Sequence, residues 1–547
     1  MVIKTKGKNK SSNLIGFVNP RINCDHPDLT ILRRNQSCFM KYFVRLILIT
    51  FAFASCTATR KSASKNDRKI TVNFVQINDV YEIAPLSGGK EGGMARVATV
   101  KKKYLQKNQN TFLVIAGDFV SPSVYNSLQY EGKAIRGKQM VEAMNAAGMD
   151  FAIFGNHEFD IRENELLDRI NESNFQWISS NAFHKTGSGT VPFSYRNTPI
   201  PKTFVLHIKD ADGTTAKIGF IGLVLPFNKA DYVSYTPALD AAKEAYNRLK
   251  DSVDVVVAIT HQSLQDDKIL AKEIPGLAAV LGGHEHDQHF DKIGKTVITK
   301  AMANAKSAYV VTLQINTKRK KVKVSSQLEK IDETVAIDSA TNSVVEKWQH
   351  IAEKNYSSLG FDAKKVLLTQ GEPLDGRESE VRTHPTNLSK LIIASIADAI
   401  PKADAVIMNS GSIRVDDILQ MPITEYDILR TLPFGGGIRE VDMKGSLLIK
   451  ILEQGKKNIG SGGYLLYNQN LVNTNDNWLL NNKTIEPSKV YHVAITEFLL
   501  TGKEANLDYI NPTNADIVKT YNAATSITDP RSDIRLAVVK YLENKLH

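Results

Sequence analysis

Along the first half of the chain, apolar and β-branched runs recur, and each stops at a residue type able to bind a metal. The runs are ITVNFVQIN before Asp79, TFLVIAG before Asp118, FAIFG before Asn156 and His157, VDVVVAIT before His261, and GLAAVLGG before His284 and His286. Their length and composition predict strands. Between them the apolar spacing turns helical near Ala95–Leu105, Gly137–Ala147 and Leu239–Lys250, so residues 70–335 read as a layered α/β domain. The Lys-rich KRKKVKVSS run (318–326) reads as a solvated strand edge, where lysine discourages pairing. A helical, charge-rich stretch near Asp338–Ser358 predicts a linker over 336–362, with a second domain over 363–547.

A length of 547 residues at 42% hydrophobic composition fits two domains plus termini. The formal charge of +11 suggests nucleic acid or membrane only until residues 1–55 are set aside, since they hold nine Lys/Arg and two acids. The remaining 60 basic and 56 acidic residues leave +4, which implies no nucleic-acid partner. From Met40 the chain reads MKYFVRLILITFAFASC, a basic start, an apolar run and small residues before Cys56. That pattern predicts an export signal over 40–55, too short to span a bilayer. It resembles a bacterial lipoprotein signal, which implies lipidation of Cys56, a tether over 56–69, and a periplasmic or cell-surface enzyme anchored to the outer membrane. Residues 1–39 then read as an upstream extension. The other cysteines, Cys24 and Cys38, precede the cleavage point, so catalysis falls to ligands other than thiolates.

Five strand ends delivering Asp, Asn and His to one place favour a pair of divalent metal ions, because strand carboxyl ends hold converging loops rigidly. Asp118 can bridge two ions, which would bind a phosphoryl oxygen and activate a water. A lone Asp after a strand is usually a cap or turn residue, and a lone His a satisfied polar group. The combination GDF, GNHEFD and GGHEHD at strand ends is what singles these residues out.

Asn78-Asp79-Val80, GDF (117–119), GNHEFD (155–160), Thr260-His261-Gln262 and GGHEH (282–286) resemble the calcineurin-like metallophosphoesterase signature. From about Lys69 to His547, the spacing of these motifs and the character of the C-terminal half are similar to the bacterial and animal 5'-nucleotidase family. The resemblance implies a layered β-sandwich flanked by helices, followed by a smaller α/β nucleotide-binding domain. It implies two divalent ions, Zn, Mn or Fe, with Asp79, Asp118 and His286 at the first and Asp118, Asn156, His261 and His284 at the second. His157 and Asp160 match the family's catalytic pair. Tyr81 stands where the family has His; a neutral phenol is a poor Zn ligand, whereas a phenolate suits a harder ion such as ferric iron.

In the second domain, Arg382, the NSGSIR segment with Asn409, Gly411 and Arg414, and LPFGG with Phe434 match the family's nucleotide contacts. Tyr509, in GKEANLDY (502–509), is the nearest counterpart of its second stacking aromatic, with Phe498 as fallback. An Arg fork suits phosphate or ribose oxygens and an aromatic face suits a base. The implied activity is hydrolysis of nucleoside 5'-monophosphates. The same site would also serve a 2',3'-cyclic-nucleotide phosphodiesterase, a 3'-nucleotidase or a nucleotide-sugar hydrolase. A surface lipoprotein that binds nucleotides without turnover is the non-enzymatic alternative. Cys56→Ala is expected to abolish fatty-acid labelling and membrane partitioning, because no other thiol follows it; unchanged labelling would overturn the anchor.

Overall fold

The computed structural model describes residues 66–226 and 230–545, which belong to one compact unit. The signal, Cys56 and the upstream extension lie outside the described residues. Two six-stranded sheets form the first part. The first runs in the order Lys321–Lys330, Ser307–Asn316, Lys69–Ile77, Thr111–Ile115, Phe151–Ala152, Gln176–Trp177. The second runs Thr203–Lys209, Thr215–Val224, Val255–His261, Leu277–Gly283, Thr296–Lys300, His289–Ile293.

The apolar runs are nearly unbroken because most of these strands are covered on both faces. In the first strand, Ile70, Val72 and Phe74 point into the core between the sheets, while Val75 and Ile77 point into a layer of helices. In the strand before His261, Val255, Val257 and Ile259 share the inter-sheet core, whereas Val256 and Ala258 pack with Ala242 and Leu270 of two outer helices. Phe220 joins the sheets, edge-on to Phe74 at 5.5 Å and stacked on Phe151 at 5.0 Å. The expected helices appear as Met94–Leu105, Lys138–Ala147 and Ala238–Leu249. The lysine-rich run enters an edge strand, with Lys321 and Lys323 exposed and Val322 between them partly covered.

The stretch expected to link the domains is the helix Ser339–Ser358, capped by Asp338, whose carboxylate accepts from the Thr341 N–H at 3.0 Å. It does not span solvent. Trp348 is fully buried and its indole N–H donates to Glu142 at 2.9 Å, so the helix lies on the first part. The second part is built on a five-stranded sheet, ordered Leu465–Tyr467, Ala405–Asn409, Val490–Thr496, Ile438–Lys444, Ile517–Thr520. Helix Gly445–Lys457 covers one face, and Asn387–Ala399 with Ile534–Lys545 cover the other. One apolar cluster runs from Val75 through Trp348, Tyr356 and Phe361 to Leu388 and Val538, so the core is continuous across the expected boundary.

Beneath the ends of the second sheet, Lys300 is wholly buried. Its ammonium donates to the carbonyls of Gln262 at 2.6 Å and Gly283 at 2.7 Å, pairs with Glu285, and lies 3.0 Å from buried Asp267. Those carbonyls belong to the residues beside His261 and His284, so one cation ties the two histidine loops together. Lys300→Met is expected to lower unfolding stability by about 3–5 kcal/mol, because it leaves Asp267 buried and unpaired. Asp267→Asn added to it should restore part of the loss. An unchanged denaturation midpoint in Lys300→Met would show that the pair does not hold these loops.

Candidate functional site

The five strand ends come from both sheets and converge. Strands ending at Ile77, Ile115 and Ala152 lie side by side in parallel, with Ile77 opposite Ile115 and Ile115 opposite Ala152. In the second sheet His261 lies opposite Gly283. The chain then turns sharply. Asp79, Asp118 and His284 hold φ of 53°, 55° and 84°, left-handed backbone that side-chain-bearing residues rarely adopt. The motif glycines allow the loops to touch: a Cβ on Gly155 would stand 2.0 Å from Asp118 Oδ1, and one on Gly283 would stand 2.3 Å from the Ala116 carbonyl. Glu158 locks the arrangement, accepting backbone N–H groups from Asp118, Phe119, Val120 and Gly155 at 2.5–3.0 Å.

At the centre, one donor atom each from buried Asp79, Asp118 and His261 lies within 4.8 Å of the other two. His261 Nδ1 is 2.8 Å from the Ala116 carbonyl, so it donates there and Nε2 is turned toward the two carboxylates. Nε2 lies 3.1 Å from Asp118 Oδ2 but out of line for a hydrogen bond, so the two atoms face a common point rather than each other. Asn156 Oδ1 is likewise buried without a partner. An unpartnered amide oxygen and an unpartnered imidazole nitrogen buried beside two carboxylates are costly unless a cation satisfies them together, so this donor set fits a bound metal.

Other atoms hold their neighbours. Asp79 Oδ2 accepts from the His284 N–H at 2.9 Å and the Asn78 amide at 2.8 Å, and Asp118 Oδ1 accepts from the His157 N–H at 2.8 Å. Burial alone would raise both carboxyls, but His261, with His286 beside Asp79 and His157 beside Asp118, holds them below the usual range. Burial pushes His261 down, but Asp118 and Asp79 outweigh it and raise it to about 9. Tyr81 reaches into the same space: its hydroxyl is 3.4 Å from Asp79 Oδ1, 3.3 Å from Asp118 Oδ2 and 3.1 Å from His286 Nε2. Burial, then the Asp118 and Asp79 charges, raise this phenol well above its ordinary value. His157 Nδ1 is 2.7 Å from Asp160 Oδ2, which also accepts from Ser121 at 3.1 Å.

A cavity of about 610 Å³ opens over these residues, walled by Tyr81, Asp118, Asn156, His157, His284 and His286 and, from the second part, by Arg382, Arg414 and Asp416. Arg414 and Phe434 share a second hollow with Asp160. Phe434 continues into a third, of about 460 Å³, with Asn409, Gly411, Phe498 and Glu504. Among the described residues, the expected ones therefore line these adjoining hollows, except Asp79 and His261, which lie buried beneath the first, and Tyr509. Tight turns, with Leu507 N–H to Glu504 O and Ile510 N–H to Leu507 O, bury Leu507 and Ile510 and carry the chain away. The Tyr509 ring instead lies under Lys450 Nζ at 3.8 Å, with its hydroxyl on the Lys450 carbonyl. Phe498, 44% exposed, and Phe434, 69% exposed, both line that third cavity. Sequence reasoning passed over Glu158, Glu504 and Asp416. Glu158 lies inside the GNHEFD segment, but nothing local marks Asp416.

Two buried carboxylates, imidazoles at strand ends and a dyad at the rim define a metal-dependent phosphoesterase centre. Residues 72–288 match the calcineurin-like phosphoesterase model and residues 365–509 match that of the 5'-nucleotidase C-terminal domain. The chain belongs to the calcineurin-like phosphoesterases of 5'-nucleotidase type, enzymes that use two divalent metal ions. It is 25% identical to protein UshA of Yersinia enterocolitica, over 87% of this chain and 94% of that protein. It is 24% identical to the 5'-nucleotidase of Bos taurus, over 66% of each. The fold superimposes on a 5'-nucleotidase precursor from Thermus thermophilus with a TM-score of 0.64 at 20% identity, covering 87% of this chain and 96% of that one.

Tyr81 is expected to tune metal binding from within this centre. Tyr81→His restores an imidazole and should raise occupancy at limiting Zn or Mn, whereas Tyr81→Phe should abolish activity only if the phenol oxygen is a ligand. Identical metal stoichiometry, affinity and turnover in wild type and both variants would show that this hydroxyl plays no part.

Proposed function

We propose that this enzyme hydrolyses nucleoside 5'-monophosphates to nucleoside and phosphate. The observation that carries the reading is the cleft of adjoining hollows, which runs from the carboxylate and imidazole cluster past Arg382 and Arg414 to Phe434 and Phe498. Phosphate, ribose and base occur in that order in a nucleotide. In this reading Asp79, Asp118 and His286 hold one ion, with Tyr81 beside it, and Asp118, Asn156, His261 and His284 hold the other. Zn, Mn or Fe bound there supplies charge neutralisation for the phosphoryl group and an activated water.

The chain's own residues do the rest. Arg382 and Arg414 pair with phosphate or ribose oxygens, and the backbone around Gly411 admits the ribose. Phe434 and Phe498, the latter in place of Tyr509, clasp the base, while Asn409, held by Glu504 at 2.8 Å, faces its edge. Asp160 holds His157 Nδ1, which leaves Nε2 to steady phosphoryl charge or to protonate the leaving ribose oxygen. Export is supported by the leader pattern from Met40 and by the description of the Thermus protein as a precursor. Lipidation at Cys56 would add a membrane anchor, with the outer membrane as its site. The domains in this reading span 70–335 and 363–547, joined through 336–362.

Phe434→Ala, Phe498→Ala and Arg414→Ala are expected to lower kcat/KM for nucleoside monophosphates far more than for a small aryl phosphate. Loss of one stacking face is worth about 1–3 kcal/mol, roughly 5- to 150-fold. Tyr509→Ala should not show this difference between substrates. Equal losses on both substrates would make the cleft residues structural. Faster turnover of cyclic nucleotides, 3'-monophosphates or nucleotide sugars than of 5'-monophosphates would overturn the assigned substrate.

A further inference from the structure

The two imidazoles nearest Asp79 and Asp118 are oriented by different parts of the molecule. His261 has its Nδ1 on the Ala116 carbonyl, within the first part. His286 has its Nδ1 2.6 Å from Asp416 Oδ2, a carboxylate of the second part, more than a hundred residues away. That contact turns His286 Nε2 inward, 3.1 Å from the Tyr81 hydroxyl and 3.5 Å from Asp79 Oδ1. An imidazole whose outer nitrogen is held by a carboxylate is fixed in the tautomer and orientation that suit a metal ligand, and is a better donor for it.

Asp416 is itself held firmly. It follows Arg414 by two residues, its backbone φ is 39°, and its Oδ1 accepts the Glu378 N–H at 2.5 Å. Arg382 and Arg414 stand with it in the wall of the same cavity. Its neighbour Asp417 makes a separate link to the first part, accepting Lys306 Nζ on both oxygens at 2.7 Å. The segment that carries Arg414 therefore also reaches the ring of a residue read as a ligand.

We propose that Asp416 is a positioning residue for the metal centre, so that the first metal position is completed only when the second domain is docked on the catalytic one. This rests on the reading of His286 as a ligand. Nucleotide contacts and metal affinity are then built on one loop, and a change in that loop alters both.

The test measures Zn affinity of the full chain by competition with a chromophoric chelator, and His286 tautomer by histidine-selective 15N NMR of the metal-free protein. Asp416→Gly removes the carboxylate without straining a positive φ. It should weaken one of the two metal positions about 10- to 100-fold, leave the other unchanged, and shift the His286 ring signals. Asp416→Asn, whose amide oxygen still accepts the Nδ1 proton, should lose less. Lys306→Met breaks the neighbouring ion pair but spares Asp416, and should keep both affinities. An equal loss in Lys306→Met and Asp416→Gly, with the His286 ring signals unshifted in Lys306→Met, would show that docking acts without the Asp416–His286 contact and overturn the proposal. Full affinity and unshifted ring signals in Asp416→Gly, with one metal lost in His286→Ala, would overturn it and leave the ligand reading standing. Both metals retained in His286→Ala would overturn the ligand reading itself.

Discussion

Two carboxylates, Asp79 and Asp118, are buried side by side with no Lys or Arg paired to either among the described residues, and the rest of the first part depends on that constraint. Like charges out of water repel and are poorly solvated, so they persist only where positive charge and N–H dipoles replace the water. Here backbone N–H groups of His157 and His284 and the imidazole of His261 do so in part. Left-handed backbone at Asp79, Asp118 and His284 aims the side chains inward, a strain that such loops keep only when the strands beneath are rigid. A nearly unbroken apolar layer on both faces of those strands provides the rigidity.

How much of this was legible in the sequence depended on how local the cause was. Strands and the residues closing them could be read because covering both faces demands long β-branched runs, and because Gly117, Gly155 and Gly283 mark where loops touch. The short strand Phe151–Ala152 was read as longer than it is, since the chain leaves the ladder two residues after it enters. Lys300 gave no signal: a lone lysine in a strand normally means solvent, and only the fold shows that it lies beneath both histidine loops. Phe498 and Tyr509 are both aromatic and eleven positions apart, so composition could not choose between them. The turns after Glu504 decided it, by burying Leu507 and Ile510.

The stretch read as a linker shows a different kind of gap. Charge and helical period were both present in Ser339–Ser358, but not the fact that Trp348 closes the core against Glu142. A helix fixed this way acts as a wall rather than a tether, which is why the apolar cluster continues into the second part. The contacts beside it are polar: Tyr426 with Glu82, Lys306 with Asp417, His286 with Asp416. Apolar packing at the helix gives area, and these ionised and hydrogen-bonded pairs give register, because each is satisfied only at one relative position.

Register matters most at Tyr81. A phenol has one proton, and three acceptors lie within 3.1–3.4 Å of its oxygen. Only one can receive that proton at a time, so the hydroxyl is shared among Asp79, Asp118 and His286 without a fixed partner. A cation drawn to the same oxygens changes the problem, since it satisfies both carboxylates and the imidazole at once and leaves the phenol oxygen facing positive charge. Compared with an imidazole at this position, a phenol would make the donor set richer in oxygen, which would shift preference from soft toward harder ions. In the proposed reading, the choice of metal at the first position would be set by two residues that act together. Tyr81 would offer the oxygen, and His286, held from the other side by Asp416, would offer the nitrogen that keeps the position from being all-oxygen.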